Sequence, residues 1–293
     1  MNQMAGKLDT ANVPFSDADF QALAALAHRE FGLSLAQSKK PLVYSRLSRR
    51  LKAREINSFP AYLDLLGKRE ENAERLELIS ALTTNVTSFF RENHHFETLR
   101  TDSLPASIER ARNGKRLRIW SAGCSSGQEP YSIAMTILDM MPEAPRHNVK
   151  ILATDIDPQI VAKAKAGRYP AEEAGSIPDG FRKKWVKLED SGTGQISMSQ
   201  DLQKLITFAE LNLIADWPIK GPFDAVFCRN VAIYFDQDTQ KRLWQRFSEL
   251  LAPGGFLFIG HSERVTGPAS ATLRGVGITS YQKTAAASAA TNQ

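Results

Sequence analysis

The sequence predicts an α/β protein in which a small helical domain precedes a mainly parallel sheet, and the sheet carries a small β insertion. Three observations predict this. From Leu117 onward, short apolar runs ending in glycine or acidic residues alternate with helix-length amphipathic stretches, as in βαβ units. Before that point, apolar residues recur at helical spacing in four short runs. Between Arg168 and Lys204 the alternation fails over a length too great for a simple crossover, and Gly192-Thr-Gly194 separates two extended pieces.

Residues 1–15 read as a flexible tail. Ser16, with Asp19 three residues on, forms a capping-box pattern. Phe20, Leu23, Ala27 and Phe31 follow on one helical face, and Gly32 stops the helix. A second helix follows Pro41, with Val43, Tyr44, Leu47 and Leu51 on one side and Arg46, Arg49, Arg50 and Lys52 on the other. Together with Lys39, Lys40 and Arg54, this segment carries seven basic side chains and no acidic one. A third helix begins near Ser58 and uses Phe59, Tyr62, Leu63 and Leu66. A fourth covers about 70–84, with Leu76, Ile79 and Leu82 inward. These four make a small bundle over 16–84.

The stretch 85–115 reads as a linker and a connecting helix over 94–111, which Asn113-Gly114 ends. The sheet domain is expected over 116–283. Its strands are drawn at 117–121, 149–154, 206–211, 224–228 and 256–260, with an antiparallel last strand at 278–283. Its helices fall at 129–140, 158–166 and 237–251, and Leu251-Ala-Pro-Gly-Gly255 is a sharp turn into a strand. The segment 168–204 is the inserted β subdomain, and 284–293 an Ala/Ser/Thr-rich disordered tail.

Composition bounds the possibilities. With 42% hydrophobic and 24% charged residues, the chain is ordinary for a globular protein. No apolar run approaches the roughly 20 residues of a membrane span, and residues 1–10 lack a signal-peptide core. Cys124 and Cys228 fall at strand ends, where they read as neighbouring thiols rather than a disulfide. The five histidines have no clustered cysteines beside them, so no metal site is expected. A net charge of +5 fits an acidic partner without naming one.

The most informative stretch is Arg116-Leu-Arg-Ile-Trp-Ser-Ala-Gly-Cys-Ser-Ser-Gly-Gln-Glu-Pro130. Strand, small-residue turn and helix form the usual cradle for a nucleotide-like ligand. Gly123-Cys-Ser-Ser-Gly127 lacks the Gly-x-Gly-x-x-Gly spacing of a dinucleotide site, and Glu129 would repel a pyrophosphate. S-adenosylmethionine has no phosphate, and Glu129 can attract its ammonium and sulfonium. The next strand ends in Ala153-Thr-Asp-Ile-Asp157, where Asp155 can accept ribose hydroxyls. Cys228-Arg-Asn230 ends a further strand beside the same turn.

Four motifs in order, Thr83-Thr-Asn-Val-Thr-Ser-Phe-Phe-Arg-Glu92, Ser121-Ala-Gly-Cys-Ser-Ser-Gly-Gln-Glu-Pro-Tyr-Ser132, Ala153-Thr-Asp-Ile-Asp157 and Phe227-Cys-Arg-Asn-Val-Ala-Ile-Tyr-Phe235, resemble the CheR-type chemotaxis receptor (protein-glutamate O-) methyltransferase family. The resemblance covers about 16–283. It implies a Rossmann-like S-adenosylmethionine-dependent methyltransferase domain, an N-terminal helical domain and the β subdomain. It further implies methyl transfer from S-adenosyl-L-methionine to receptor glutamates, leaving S-adenosyl-L-homocysteine. Cofactor contacts are implied for Asn85, Thr87, Arg91, Glu129, Asp155, Asn212, Leu213, Arg229 and Asn230, and Gly123 joins them as part of the cradle. Arg91 and Tyr234 are implied to lie near the transferred methyl. The partner is then the cytoplasmic helical domain of chemoreceptors, toward which Arg46, Arg49, Arg50 and Lys52 would steer acidic helices. The enzyme would be cytoplasmic and recruited to membrane receptors, with neither nucleic-acid binding nor direct membrane insertion. Two alternatives stand beside this reading: a methyltransferase on RNA or a small molecule, and a non-catalytic S-adenosylmethionine-binding signalling module. No base-stacking aromatic cluster accompanies the basic helix, and Arg91 and Tyr234 favour an enzyme.

Overall fold

The computed structural model describes residues 13–189, 192 and 194–284; of the tails expected over 1–15 and 284–293, residues 1–12 and 285–293 lie outside these. The chain forms two compact units. Of the described residues, one holds those up to Asn85 together with Tyr234–Asp236, and the other holds those from Val86 to Ile233 and from Gln237 on.

The first unit contains α1 (Asp17–Phe31), α2 (Lys40–Ala53), α3 (Phe59–Leu66) and α4 (Asn72–Leu82). The capping box at Ser16 is present in both directions, and Gly32 closes α1 with a left-handed φ of 72°. Phe20, Leu23, Ala27, Val43, Leu47, Leu51, Phe59, Tyr62 and Leu66 are buried, as their spacing predicts. Val13 and Phe15 do not behave as a tail. Val13 is buried, and the Phe15 ring lies 4.1 Å from that of Phe59. On α4 the inward set is Glu74, Leu78, Ile79 and Leu82, and Leu76 is only half-buried. The apolar period alone could not place Glu74 inside.

The second unit begins with the stretch expected as a linker, which is instead part of its core. The predicted single helix is broken into α5 (His94–Thr98), a π turn at Leu99–Ser103 and α6 (Leu104–Arg112). Pro105 has no N–H to continue the α ladder, and the Leu104 N–H reaches back to the Leu99 carbonyl instead. Leu99, Leu104, Ile108 and Ala111 pack into the apolar cluster that also holds Leu117 and Ile119. The chain then continues through β1 (Leu117–Ala122), α7 (Gln128–Met140), β2 (Val149–Asp155), α8 (Pro158–Ala166), β3 (Arg168–Pro170), α9 (Asp179–Trp185), β4 (Val186–Leu188), β5 (Gln195–Met198), α10 (Gln200–Leu205), β6 (Ile206–Glu210), β7 (Phe223–Cys228), α11 (Gln237–Leu250), β8 (Leu251–Ile259), β9 (Leu273–Gly277) and β10 (Ser280–Lys283).

The main sheet has the order β6-β2-β1-β7-β8-β10-β9. Its first five members are parallel, while β10 runs antiparallel to both β8 and β9. β2 and β6 lie to one side of β1 and β7 to the other, so the order reverses between β1 and β7, where open α/β sheets bind ligands. The turn expected at 251–255 sits inside β8 as a register shift, with Phe223 opposite Leu251 but Ala225 opposite Phe256. β9 was not legible because two glycines in five residues hide its strand character. The insertion is a three-stranded antiparallel sheet, β3-β5-β4, so the expected hairpin gains a third strand from Arg168–Pro170.

Candidate functional site

The turn after β1 is fastened to β2. The N–H groups of Gly123 and Cys124 both donate to the Thr154 carbonyl, at 2.8 and 2.9 Å. Ser125 donates its N–H to Asp155 Oδ2 at 2.8 Å, and Gly127 opens α7 with φ +99°. Gly123 has φ +79°, and a Cβ there would lie 2.4 Å from a Val231 methyl. This glycine therefore has a packing reason of its own: the β1 and β7 turns touch at that point. Both thiols near the turn, Cys124 and Cys228, are free and buried, and burial pushes them well above the ordinary thiol range.

Charge concentrates next to this turn. Arg229, almost fully buried, directs Nη1 to Glu129 Oε2 at 3.3 Å and Nη2 to Glu92 Oε2 at 3.5 Å. It also donates to the Arg91 carbonyl and stands 5.6 Å from the centre of the Phe96 ring. Ser121 donates to Glu129 Oε1 at 2.6 Å. Burial raises the Glu129 carboxyl above its ordinary range, against the opposing pull of Arg229 and Ser121. At Glu92 burial also acts upward, but Arg229, His261 and His95 prevail and hold it below the ordinary range. His95 is fully buried, and burial, with Arg229 nearby, lowers its pKa to about 3.

The remaining strand ends complete the row. Asp155 accepts the Asp157 N–H at Oδ1 besides that of Ser125, and its pKa is raised, chiefly by burial. The Leu211 N–H donates to the Asp155 carbonyl, which brings Asn212 and Leu213 beside it. Asn212 turns its own loop through Oδ1 to the Ile214 N–H at 3.1 Å. Asn230 has φ +59°, and its N–H donates to Glu263 Oε2 at 3.2 Å. Glu263 is buried and also accepts the N–H groups of Gly260 and Ile233, at 2.5 and 3.1 Å. Burial raises its pKa against these three hydrogen bonds.

Thus Glu129, Asp155, Asn212, Leu213, Arg229, Asn230 and the backbone of Arg91 gather at the carboxyl ends of β1, β2, β6 and β7. Thr87 is half-buried in the segment leading to Arg91, whose Nη1 donates to the Val86 carbonyl at 2.8 Å. Sequence reasoning missed Glu92 and Glu263 as site residues. Both had a readable signal, since Glu92 ends the first motif and Glu263 follows the strand end at Ile259.

Glu92, His94 and His95 place possible ligand atoms within 4.8 Å of one another. The Arg229 guanidinium already faces Glu92 Oε2, and a divalent ion at this carboxylate would meet a buried like charge. The cluster therefore reads as an ion-pair network.

In the first unit, two of the four residues expected to steer substrate are engaged otherwise. Arg46 donates to the Ala81, Leu82 and Thr83 carbonyls at 3.2, 2.9 and 3.2 Å, which caps the end of α4. Arg50 pairs with Glu74 at 2.7 Å and with Glu77 at 2.9 Å. Arg49 and Lys52 remain exposed. Asn85 is exposed, and the Tyr234 hydroxyl accepts the Thr84 N–H at 3.1 Å.

Two family models match the chain. One, described as the CheR methyltransferase SAM binding domain, covers residues 85–281; the other, the CheR methyltransferase all-alpha domain, covers 18–83. A probable chemotaxis protein methyltransferase of Rhizobium etli is 48% identical over 260 residues, 88% of this chain and 97% of that protein. A chemotaxis protein methyltransferase of Escherichia coli is 42% identical, with 87% of each chain covered. Chemotaxis protein methyltransferase 2 of Pseudomonas aeruginosa is 43% identical, over 91% of this chain and 93% of that protein. Among the described residues, no helix is long and apolar enough to cross a membrane.

Proposed function

The chain belongs to the CheR methyltransferase family, and from that premise we propose that it methylates glutamate side chains on the cytoplasmic helices of chemoreceptors, forming methyl esters for sensory adaptation. The observation that carries this reading is the pairing of one buried guanidinium, Arg229, with two carboxylates at the point where the strand order reverses. That arrangement has one negative charge in excess, which suits a donor bearing an ammonium and lacking phosphate.

S-adenosylmethionine, when bound, supplies a methyl group already activated on a sulfonium. Glu129 would hold its ammonium, and Arg229 a carboxylate. Asp155 would take the ribose hydroxyls, with Asn212, Leu213 and Asn230 at the adjoining strand ends. A substrate glutamate with pKa near 4.3 is ionised at pH 7, so the protein needs no general base. Its work is alignment, which can lower a barrier by several kcal/mol. Arg91 orients one carboxylate oxygen and leaves the other free to react, and Tyr234 supports that orientation. Receptor helices rich in glutamate are drawn in by Arg49 and Lys52, since Arg46 and Arg50 have structural partners.

The test is to incubate the protein with labelled methyl donor and receptor-bearing membranes, RNA, or neither. We expect label in the receptors, released by mild base as an ester requires. Base-stable label, or label in RNA, would overturn the proposal. Arg91→Ala should lose far more methyl transfer than Tyr234→Phe at saturating donor; equal full activity would remove both assignments.

A further inference from the structure

We propose that Glu92 is a second seat for Arg229, and that by holding this guanidinium it leaves Glu129 available to the ammonium of the methyl donor. The inference rests on the S-adenosylmethionine reading of the site but is independent of the methyl acceptor. Glu92 would be a positioning residue, acting through Arg229.

The geometry begins with a shared cation. Arg229 stands between Glu129 at 3.3 Å and Glu92 at 3.5 Å, with its side chain 3% exposed. Neither separation is a tight charge-assisted hydrogen bond, which would measure about 2.7–2.9 Å. The guanidinium is instead divided between two acids. Its remaining anchors favour the Glu92 side, because Arg91, whose carbonyl takes Nη2, precedes Glu92 in the chain, and Phe96 lies one turn further on.

Glu92 is itself held firmly. Its Oε1 accepts from the His261 backbone N–H at 3.4 Å and contacts His261 Nδ1 at 3.2 Å. Its Oε2 faces His95 Nδ1 at 3.5 Å. The His95 ring is fixed from its other side by Thr279 Oγ1 at 2.9 Å and the Ile278 carbonyl at 3.2 Å. His261 thus fixes one oxygen of Glu92 from beyond its own segment and leaves Oε2, which among the described residues has no hydrogen-bond partner besides the Arg229 ion pair, for the guanidinium.

Without the Glu92 charge, Arg229 has one carboxylate left. It would close on Glu129, and the donor's ammonium would have to displace a buried ion pair. A competing guanidinium at this range in a buried site is a strong rival for Glu129, so even partial competition reaches about a tenfold loss. This cost falls only on ligands that carry the amino-acid end. The adenosine end reaches Asp155 and the β6 loop and does not meet this network.

That difference supplies the experiment. Binding of S-adenosylhomocysteine and of 5′-methylthioadenosine, which lacks the amino-acid end, is measured by titration calorimetry on the full chain and on its Glu92→Gln variant. The expected result is a loss of about tenfold or more for S-adenosylhomocysteine and less than about twofold for methylthioadenosine. Glu92→Asp, which keeps the charge, should recover part of the loss. Equal losses for both ligands would mean that Glu92 merely supports the fold, and would overturn the proposal. Unchanged S-adenosylhomocysteine affinity would overturn it too. No receptor is present, so failure of the glutamate-methylation reading would leave this result untouched.

Discussion

Replacing Glu74 by alanine should unfold the helical unit under conditions the second unit survives. Glu74 is 1% exposed and collects four donors. Oε1 accepts from the Tyr62 hydroxyl at 2.8 Å and Arg50 Nε at 3.1 Å; Oε2 accepts from Arg50 Nη2 at 2.7 Å and Arg54 Nη1 at 3.4 Å. Truncation strands the Tyr62 hydroxyl in the core, at about 1–3 kcal/mol. Breaking a buried pair by removing one partner costs about 3–5 kcal/mol. Arg50, however, keeps Glu77 at 2.9 Å and some solvent, so the lower end applies, about 3 kcal/mol. Glu74→Gln keeps one acceptor oxygen and should cost about half as much. All four tryptophans lie in the second unit, so their fluorescence follows that unit while far-ultraviolet circular dichroism follows both. In urea the dichroism of the alanine variant should acquire an early transition that the fluorescence lacks. A loss below about 1 kcal/mol, or identical alanine and glutamine variants, would refute the view that Glu74 organises the bundle.

Three further outcomes are expected. Reversing charge at Arg49 and Lys52 should slow receptor methylation several-fold at low salt and much less at high salt, with cofactor affinity constant in a binding titration. Gly123→Ala forces a side chain onto φ +79° and into Val231, and should cost about 1–3 kcal/mol in thermal unfolding; adding Val231→Ala should recover the steric part only, and full recovery would show that the backbone conformation is unimportant. His95 has its pKa lowered to about 3 from an ordinary 6.5, so between these values the unfolded chain binds the extra proton. Stability from this residue is therefore complete above pH 6.5 and falls by about 1.4 kcal/mol per pH unit on acidification below it. His95→Asn should flatten that slope in urea midpoints measured from pH 7 to 5.

The sheet was legible because buried parallel strands are short apolar runs with sharp ends, and because the glycine turn announces the first of them. The site's acids were legible for a related reason: Asp155 ends β2, and Glu129 stands in the first turn of the helix that follows the glycine turn. Partnership was not. Arg50 looked like a free cation on an outward face, and only the fold brings Glu74 and Glu77 across to it, since an isolated helix pattern says nothing of the neighbour's polar side. Glu74 itself defeats the apolar period by occupying an inward position as an acid. The 94–111 helix was predicted unbroken, although Pro105 marked where the ladder had to widen. Glu92 was in view as the last letter of a motif, but its relation to Arg229 spans 137 positions of chain and has no local signature.

Glu263 sets an unusual limit on what can replace it. Three backbone donors converge on its two oxygens, two on Oε2 and one on Oε1. A glutamine has the same shape, but one end of its amide is an NH2 group, and either orientation would aim that group at a backbone N–H. Aspartate, one methylene shorter, would not span the same three donors. The position therefore admits a carboxylate of one length. Through it the loop beyond β8 determines whether Asn230 can remain in its left-handed turn, so sequence drift after β8 is constrained by the backbone of a turn that follows β7.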